Sequence, residues 1–454
     1  MKVVGIVAEY NPFHYGHAYQ IAKARETYGA DTPIVAVMSG DFVQRGEPAV
    51  TGKWNRAEAA LRLGVDLVIE LPFTFACASA DRFSFGAIHI LNATGIVTDL
   101  YFGSECTDLG FLQEIASITV EENPEYRSLL KENLGEGMSY AGARASAISL
   151  YFRNAGKTVE SIKAQEFLKS PNTILAIEYL AALIRTESRI LPAVLERAGA
   201  GYHETSILAP LASASAIRNT VTKCVDNGIP DVSRLADSLA GRMPSASLAL
   251  ILSEYSNGIH PVLSDDFLPE AVSLIRSRTV EDLEKIAYMG DQLARRLKNA
   301  VSDLRVPPDM SFSDAFHLTC DTKRYAGTRI SRALISLLAG QTARDLENLE
   351  SPGYIRILGF SDRGRCLLKL MRKNMRLPLI DKASDFLEYG QNRALARMAE
   401  LDLITSDLRG MKAGYTYGHE FERTVIRIKG PKIIRDSGNT NRILPIIHDP
   451  GEQP

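Results

Sequence analysis

Two histidines three residues apart, His14 and His17, stand in the run His14-Tyr15-Gly16-His17, just after a short β-branched segment and at the start of a helical pattern. Pro12 suits the entrance of that helix. Both imidazoles fall on one side of the first turn, with Gly16 leaving room between them for a ligand. They can donate hydrogen bonds to phosphate oxygens as charge builds there. The helix N-terminus adds partial positive charge and free N–H groups. This suits a nucleoside triphosphate whose α-phosphorus is under attack. Ordinary helix-start histidines are the plain alternative. A zinc site is another, although no third ligand is evident.

Much later comes Ser213-Ala214-Ser215-Ala216-Ile217-Arg218. The hydroxyls of Ser213 and Ser215 and the guanidinium of Arg218, at a second helix start, can hold the β- and γ-phosphates or the departing pyrophosphate. Alone, a serine-rich cap beside a surface arginine is common; its meaning comes from following HxGH in the same chain. A third signal is electrostatic. Residues 318–376 hold 12 Lys and Arg against five Asp and Glu, a net +7 within a chain of net −2. Beside Tyr325, Tyr354 and Phe360 this patch suits phosphate neutralisation with aromatic stacking, as in RNA binding; a solvated helix face is the alternative. Arg329 and Arg332 share one helical face. Trp54, the single tryptophan, could stack on a base, cover a pocket or simply pack.

These residues need a frame. Strand patterns at Lys2–Val7, Thr32–Met38, Leu67–Leu71 and Thr98–Phe102 alternate with helical patterns at Ala18–Tyr28, Trp54–Leu63 and Ala87–Asn92. Such alternation predicts an α/β fold, a Rossmann-like, doubly wound parallel sheet whose ligand lies beyond the carboxyl ends of its strands. Those ends carry Glu9, the 39–48 loop, Glu70 and Gly103-Ser104-Glu105. Helices are expected at Ser139–Tyr151, at Thr173–Ile184 (after a Ser170-Pro171 start signal) and at Ser213–Val225, with a fifth strand at Leu191–Leu195. The expected division is an ATP-binding domain over 1–228 and a mainly helical, basic domain over 229–454. In the second, Ala271–Val301 and Thr328–Leu338 read as helical, Tyr415–Ile428 as a strand pair, and the last few residues as frayed.

With 454 residues, 45% hydrophobic and 23% charged, the composition is ordinary for a soluble protein and excludes collagen-like or wholly disordered classes. The five cysteines form no CxxC pair, which argues against a zinc knuckle or a disulfide framework. No apolar run is long enough to cross a bilayer and the N-terminal one is too short for a signal peptide. A cytoplasmic protein is expected, with no obligate protein partner evident.

HxGH followed by SxSxxR resembles the superfamily of nucleotidylyltransferases and class I aminoacyl-tRNA synthetases. GIVAEYNPFHYGH, MSGDFVQRGEPA, KWNRAEAAL, VDLVIELPF, FGSE, SPNTILAIEYL, YHE, SASAIR, KRYAGTRISRAL and YIRILGF are similar to stretches of the bacterial tRNA(Met) cytidine acetate ligases. The likeness is weakest over about 228–310 and after 430. It implies activation of acetate by ATP, with Mg²⁺, to an acetyl-adenylate, and acetyl transfer to N4 of the wobble cytidine of elongator tRNA(Met). It also implies that Val7, Ala8, Glu9, Tyr10, Asn11, Pro12, Phe13, His14, Tyr15, Gly16, His17, Ala18, Tyr19 and Gln20 form the main ATP-binding stretch, and that Gly103, Asn172 and Arg197 are further ATP contacts. Read directly, Gly103 ends a strand where backbone can approach a nucleotide closely. Asn172 can read a base or ribose edge, or only start a helix; Arg197 can meet phosphate or face solvent. Lys323, Arg324, Arg329, Arg332 and Arg356 are the expected tRNA contacts. No base for the second step is assigned among Glu9, Glu70 and Glu105. A small-molecule adenylyltransferase of coenzyme biosynthesis would share both ATP motifs without needing the basic half. A non-catalytic RNA-binding protein would not need the ATP motifs.

Overall fold

The computed structural model describes residues 1–197, 212–226, 229–290, 292–320, 325, 327–429 and 432–435. Five strands, β1 (Val4–Ala8), β2 (Ile34–Ser39), β3 (Leu67–Leu71), β4 (Asp99–Ser104) and β5 (Leu191–Glu196), lie parallel in the order β3-β2-β1-β4-β5. The runs that form β1 to β3 are β-branched and almost wholly buried, as strands covered on both faces must be. Helices α1 (Tyr15–Tyr28), α2 (Lys53–Arg62), α3 (Phe73–Ala76) and α4 (Ala80–Thr94) carry the crossovers as far as β4. The strand order reverses at β1, between β2 and β4, which places the ligand crevice beyond the carboxyl ends of those strands.

The sheet does not end at β3. Two short strands, β6 (Val225–Asp226) and β7 (Ile229–Pro230), pair separately, but β8 (Ile355–Phe360) adds antiparallel to β3. Strands β9 (Leu379–Ile380), β10 (Ile426–Lys429) and β11 (Lys432–Arg435) extend that side. The sheet is therefore mixed, and it runs across residue 228, the boundary expected from the sequence. One hydrophobic cluster likewise joins Val35 and Ile69 to Leu367, Met398 and Leu401. Two other expectations shift. The helical pattern over 271–301 breaks into Leu268–Ser277, Val280–Glu284 and Leu293–Asp303. The break falls where Tyr288 and Gln292 take left-handed φ of 65° and 68° and Ile286 bridges to Thr342. The strand pair expected at 415–428 lies later, at β10 and β11, because residues 419–422 form a short 3-10 turn. Among the described residues no single helix is long and apolar enough to cross a membrane.

Lone charges inside apolar runs hold the two halves together. Glu70 in β3 and Arg356 in β8 are cross-strand partners, their side chains 3.2 Å apart. Lys53, 1% exposed, reaches Glu70 at 2.8 Å, Glu420 at 3.0 Å and Asp41 at 3.7 Å. Arg356 also meets Glu420 at 2.5 Å. Burial alone would raise the Asp41 carboxyl, but Lys53, Arg409 and a hydrogen bond from Ser406 hold it well below the usual carboxylate range. Asp402, at the edge of this cluster, accepts from the Phe73 N–H at 2.7 Å and from the Tyr354 hydroxyl. Burial, then the Glu70 charge, push its carboxyl up to about 7. A carboxyl raised on folding favours the folded state at low pH, and that contribution is lost as pH climbs from about 4 through 7. Asp402→Asn should therefore raise the melting temperature at pH 8 and leave it nearly unchanged at pH 5, measured by thermal denaturation at both.

Candidate active site

The loop leaving β1 turns at Tyr10 (φ 47°) and enters α1 through a helix cap built from two imidazoles. His14 is the N-cap. Its Nδ1 accepts the Gly16 N–H at 3.0 Å, and His17 Nδ1 accepts the His14 N–H at 3.2 Å. Two of the N–H groups that every helix start leaves without an intrahelical partner are thus satisfied reciprocally. A neutral ring whose Nδ1 accepts carries its proton on Nε2, so each histidine keeps one outward donor. The rings stack with centroids 3.9 Å apart, and Tyr10 and Phe13 pack against His17. Burial, then the charges of Arg197 and Arg218, push His14 down to about 4. Burial, then His14 and Arg197, push His17 well below its usual value. Both are neutral Nε2–H donors at pH 7.

Gly16 serves this cap. A Cβ there would fall 2.8 Å from His14 Cε1, so the bare position admits the His14 ring. Farther along α1, Gln20 Nε2 donates to the Tyr101 carbonyl at 3.0 Å, tying the helix to β4.

The second motif comes to the same place. Ser213 caps the helix Ala214–Lys223, its Oγ accepting the Ala216 N–H at 3.2 Å, and its O–H stays able to donate. Arg218 donates to the Asn11 carbonyl at 2.9 Å and to Ser215 Oγ at 3.5 Å, and lies 3.7 Å from Glu47. The guanidinium therefore touches the loop that leads into the histidine cap.

At the ends of β4 and β5, Arg197 donates to Asn172 Oδ1 at 2.9 Å and Asn172 Nδ2 donates to Glu105 at 2.6 Å. A Cβ at Gly103 would fall 3.0 Å from Arg197 Cγ, so that glycine makes room for the arginine stem. Gly103, Asn172 and Arg197 form one unit, and the Arg197 charge reaches both histidines. Residues 198–211, with His203, lie outside the described residues.

Those of the expected RNA contacts that are described do not form one surface. Arg356 is buried in the ion cluster, where two carboxylates leave it no phosphate to meet. Arg332, 9% exposed, donates to the Gln44 carbonyl at 3.1 Å. Arg329 is half-buried and donates to the carbonyls of Tyr288 and Gly290. Lys323 and Arg324 lie outside the described residues. Sequence reading also missed Lys53, which a helix-start pattern makes look solvated, and Arg56, whose guanidinium ties the carbonyls of Glu9, Ser39, Gly40 and Thr51 beneath the site. Trp54 packs, its Nε1 donating to Glu420 at 3.1 Å.

The family model for HIGH nucleotidyl transferases matches residues 1–420. A tRNA(Met) cytidine acetate ligase of Acetivibrio thermocellus is 41% identical over 94% of this chain and all of its own length. One from Caldanaerobacter subterraneus is 36% identical over 90% of this chain and 94% of its own. The crystal structure of Thermotoga maritima TmcAL bound with alpha-thio ATP superposes with a TM-score of 0.83 at 32% identity, covering 94% of this chain and all of that one. With its histidine-capped first helix and the later serine–arginine helix meeting at one sheet edge, the chain belongs to the tRNA(Met) cytidine acetate ligase family of HIGH nucleotidyl transferases.

Proposed function

We propose that this cytoplasmic enzyme activates acetate with ATP and passes the acetyl group to N4 of the wobble cytidine of elongator tRNA(Met). The observation that carries the reading is the reciprocal histidine cap, which leaves two neutral Nε2–H donors at the reactive edge with Arg197 and Arg218 beside them. Acetate is already ionised at pH 7, so the first step needs no base. Its oxygen attacks the α-phosphorus and pyrophosphate leaves. His14 and His17 donate to the α-phosphate oxygens as charge grows, while Ser213, Ser215 and Arg218 hold the departing pyrophosphate. The Val7–Gln20 stretch, Gly103, Asn172 and Arg197 bind the rest of the nucleotide. Among the described residues no three His, Cys, Asp or Glu are grouped to hold a metal; Mg²⁺ would arrive on the phosphates, as it does at many triphosphate sites.

ATP chemistry then belongs to residues 1–228 and RNA contact to the later half, through Lys323, Arg324 and Arg329. The exposed row Arg365, Lys369, Lys373 and Arg376 joins them. The first three of that row recur every four residues along the helix Asp362–Asn374, about 6 Å apart. The test supplies labelled acetate, ATP and bulk tRNA. Label is expected in N4-acetylcytidine of elongator tRNA(Met) alone, and ATP–pyrophosphate exchange is expected to require acetate. Exchange that instead requires a phosphorylated metabolite would favour a small-molecule adenylyltransferase.

A further inference from the structure

Carboxylates from the ends of β1 to β4 border the reactive edge, and the structure separates them: Asp41 is held by Lys53 and Ser406, and Glu47 lies 3.7 Å from Arg218. Glu70 is committed to Lys53 and Arg356. Glu105 has both oxygens occupied, one by Asn172 Nδ2 at 2.6 Å, the other by the Thr173 N–H at 2.9 Å and hydroxyl at 3.1 Å. Glu9, half-buried one residue beyond β1, accepts the Gln44 N–H on Oε1 at 2.9 Å. Among the described residues its Oε2 makes no hydrogen bond.

The Gln44 N–H is itself fixed from the far half of the chain. Arg332 Nη1 donates to the Gln44 carbonyl at 3.1 Å, and its guanidinium lies 5.5 Å from the Tyr288 ring centroid. Gly46 (φ 81°) seats the same loop against the helix Gly327–Ala339, where a Cβ would fall 2.4 Å from the Arg332 nitrogen. An arginine that the sequence offers to RNA is thus turned inward to hold the loop that aims Glu9.

We propose that Glu9 is the general base of the acetyl-transfer step, with Gln44 and Arg332 as its positioning residues. The proposal rests on the reading above that this step is aminolysis of an acetyl-adenylate. The cytosine N4 lone pair attacks the acetyl carbonyl carbon. As the C–N bond forms, N4 becomes acidic and its proton passes to Glu9 Oε2. The bond from the acetyl carbon to the phosphate oxygen breaks, AMP leaves with the electron pair, and the proton on Glu9 is lost to solvent. Arg218, Arg45 and Glu47 face the carboxylate, Arg56 holds the Glu9 carbonyl, and Tyr179 and Cys77 lie close enough to feel its charge. Burial, partly offset by the Gln44 N–H and Arg218, raises the carboxyl above 4.5, toward the pH at which a carboxylate base is most effective.

Two assays separate the steps. Acetate-dependent pyrophosphate exchange without tRNA reports adenylate formation. Single-turnover transfer from preformed acetyl-adenylate to tRNA reports the second step. Glu9→Gln keeps an acceptor for the Gln44 N–H. Glu9 lies within the ATP-binding stretch, so exchange is expected to fall as well; transfer should fall at least about 10-fold further than exchange, and the acidic limb of the transfer pH profile should vanish. Glu9→Asp should recover part of the transfer and keep that limb, and it carries the test should the Gln variant fail to fold. Arg332→Lys should slow transfer with the limb retained. Transfer by Glu9→Gln near the wild-type rate, or equal losses in exchange and transfer, would overturn the proposal. A wild-type enzyme without acetate-dependent exchange would remove the functional reading, and the base with it.

Discussion

Alanine at His14 or at His17 is expected to cut acetate-dependent ATP–pyrophosphate exchange by about 10²–10³-fold, the usual cost of deleting one preorganised donor to a developing anion. tRNA affinity, measured by filter binding, should stay within about twofold. Each ring does two jobs, capping a backbone N–H through Nδ1 and presenting Nε2–H outward, so alanine alone does not say which is lost. His14→Asn separates them. An asparagine oxygen can cap the Gly16 N–H at little cost to the helix start, yet it carries no donor where Nε2 stood. Exchange by the Asn variant at near wild-type rate would show that His14 only starts the helix. Because His14 is pushed down to about 4, the exchange profile should also show no imidazole limb near pH 6.5. The sign for stability runs the other way from Asp402. A histidine lowered on folding contributes no penalty above its unfolded value, and stability is lost as pH falls from about 6.5 toward 4.

Lys53→Met should cost about 3–5 kcal/mol of folding free energy, read from urea denaturation at pH 7, because it leaves buried carboxylates without their shared cation. Glu70, Glu420 and Asp41 all face that ammonium; without it Arg356 is left with both Glu70 and Glu420, and Asp41 keeps only the weaker attraction of Arg409 and Arg56. Adding Glu420→Gln should recover part of the loss, since one uncompensated charge is removed with it. A single-variant loss below about 1 kcal/mol would mean that water reaches the cluster.

The parallel core was legible because its signal is local: short β-branched runs spaced by helical patterns. The two helix-start motifs were legible for a similar reason, since the histidine pair and the serine cap with Arg218 each fit within one helical turn or two. What stayed hidden depends on partners distant in the chain. The sequence has no local mark for Glu70 lying opposite Arg356, although a single charge inside each of two apolar runs, LVIELPF and YIRILGF, hints that both are paired. Charge counting failed for the same reason. It treats Arg332 and Arg356 like Lys369, although burial turns the first two into internal ties. Gly16 and Gly103 read as space for a ligand; each also makes room for a neighbouring side chain, His14 and Arg197, that local reading does not name.

The antiparallel join between β3 and β8 sets an order of events during synthesis. As the chain leaves the ribosome, the first five strands can assemble early, but the outer flank of β3 stays bare until Ile355–Phe360 has emerged. For most of translation the nascent protein thus presents an apolar, unpaired backbone edge, the kind of template on which chains aggregate. Fragments that stop near residue 228 would keep both the histidine and the serine–arginine motifs and remain fixed in that vulnerable intermediate.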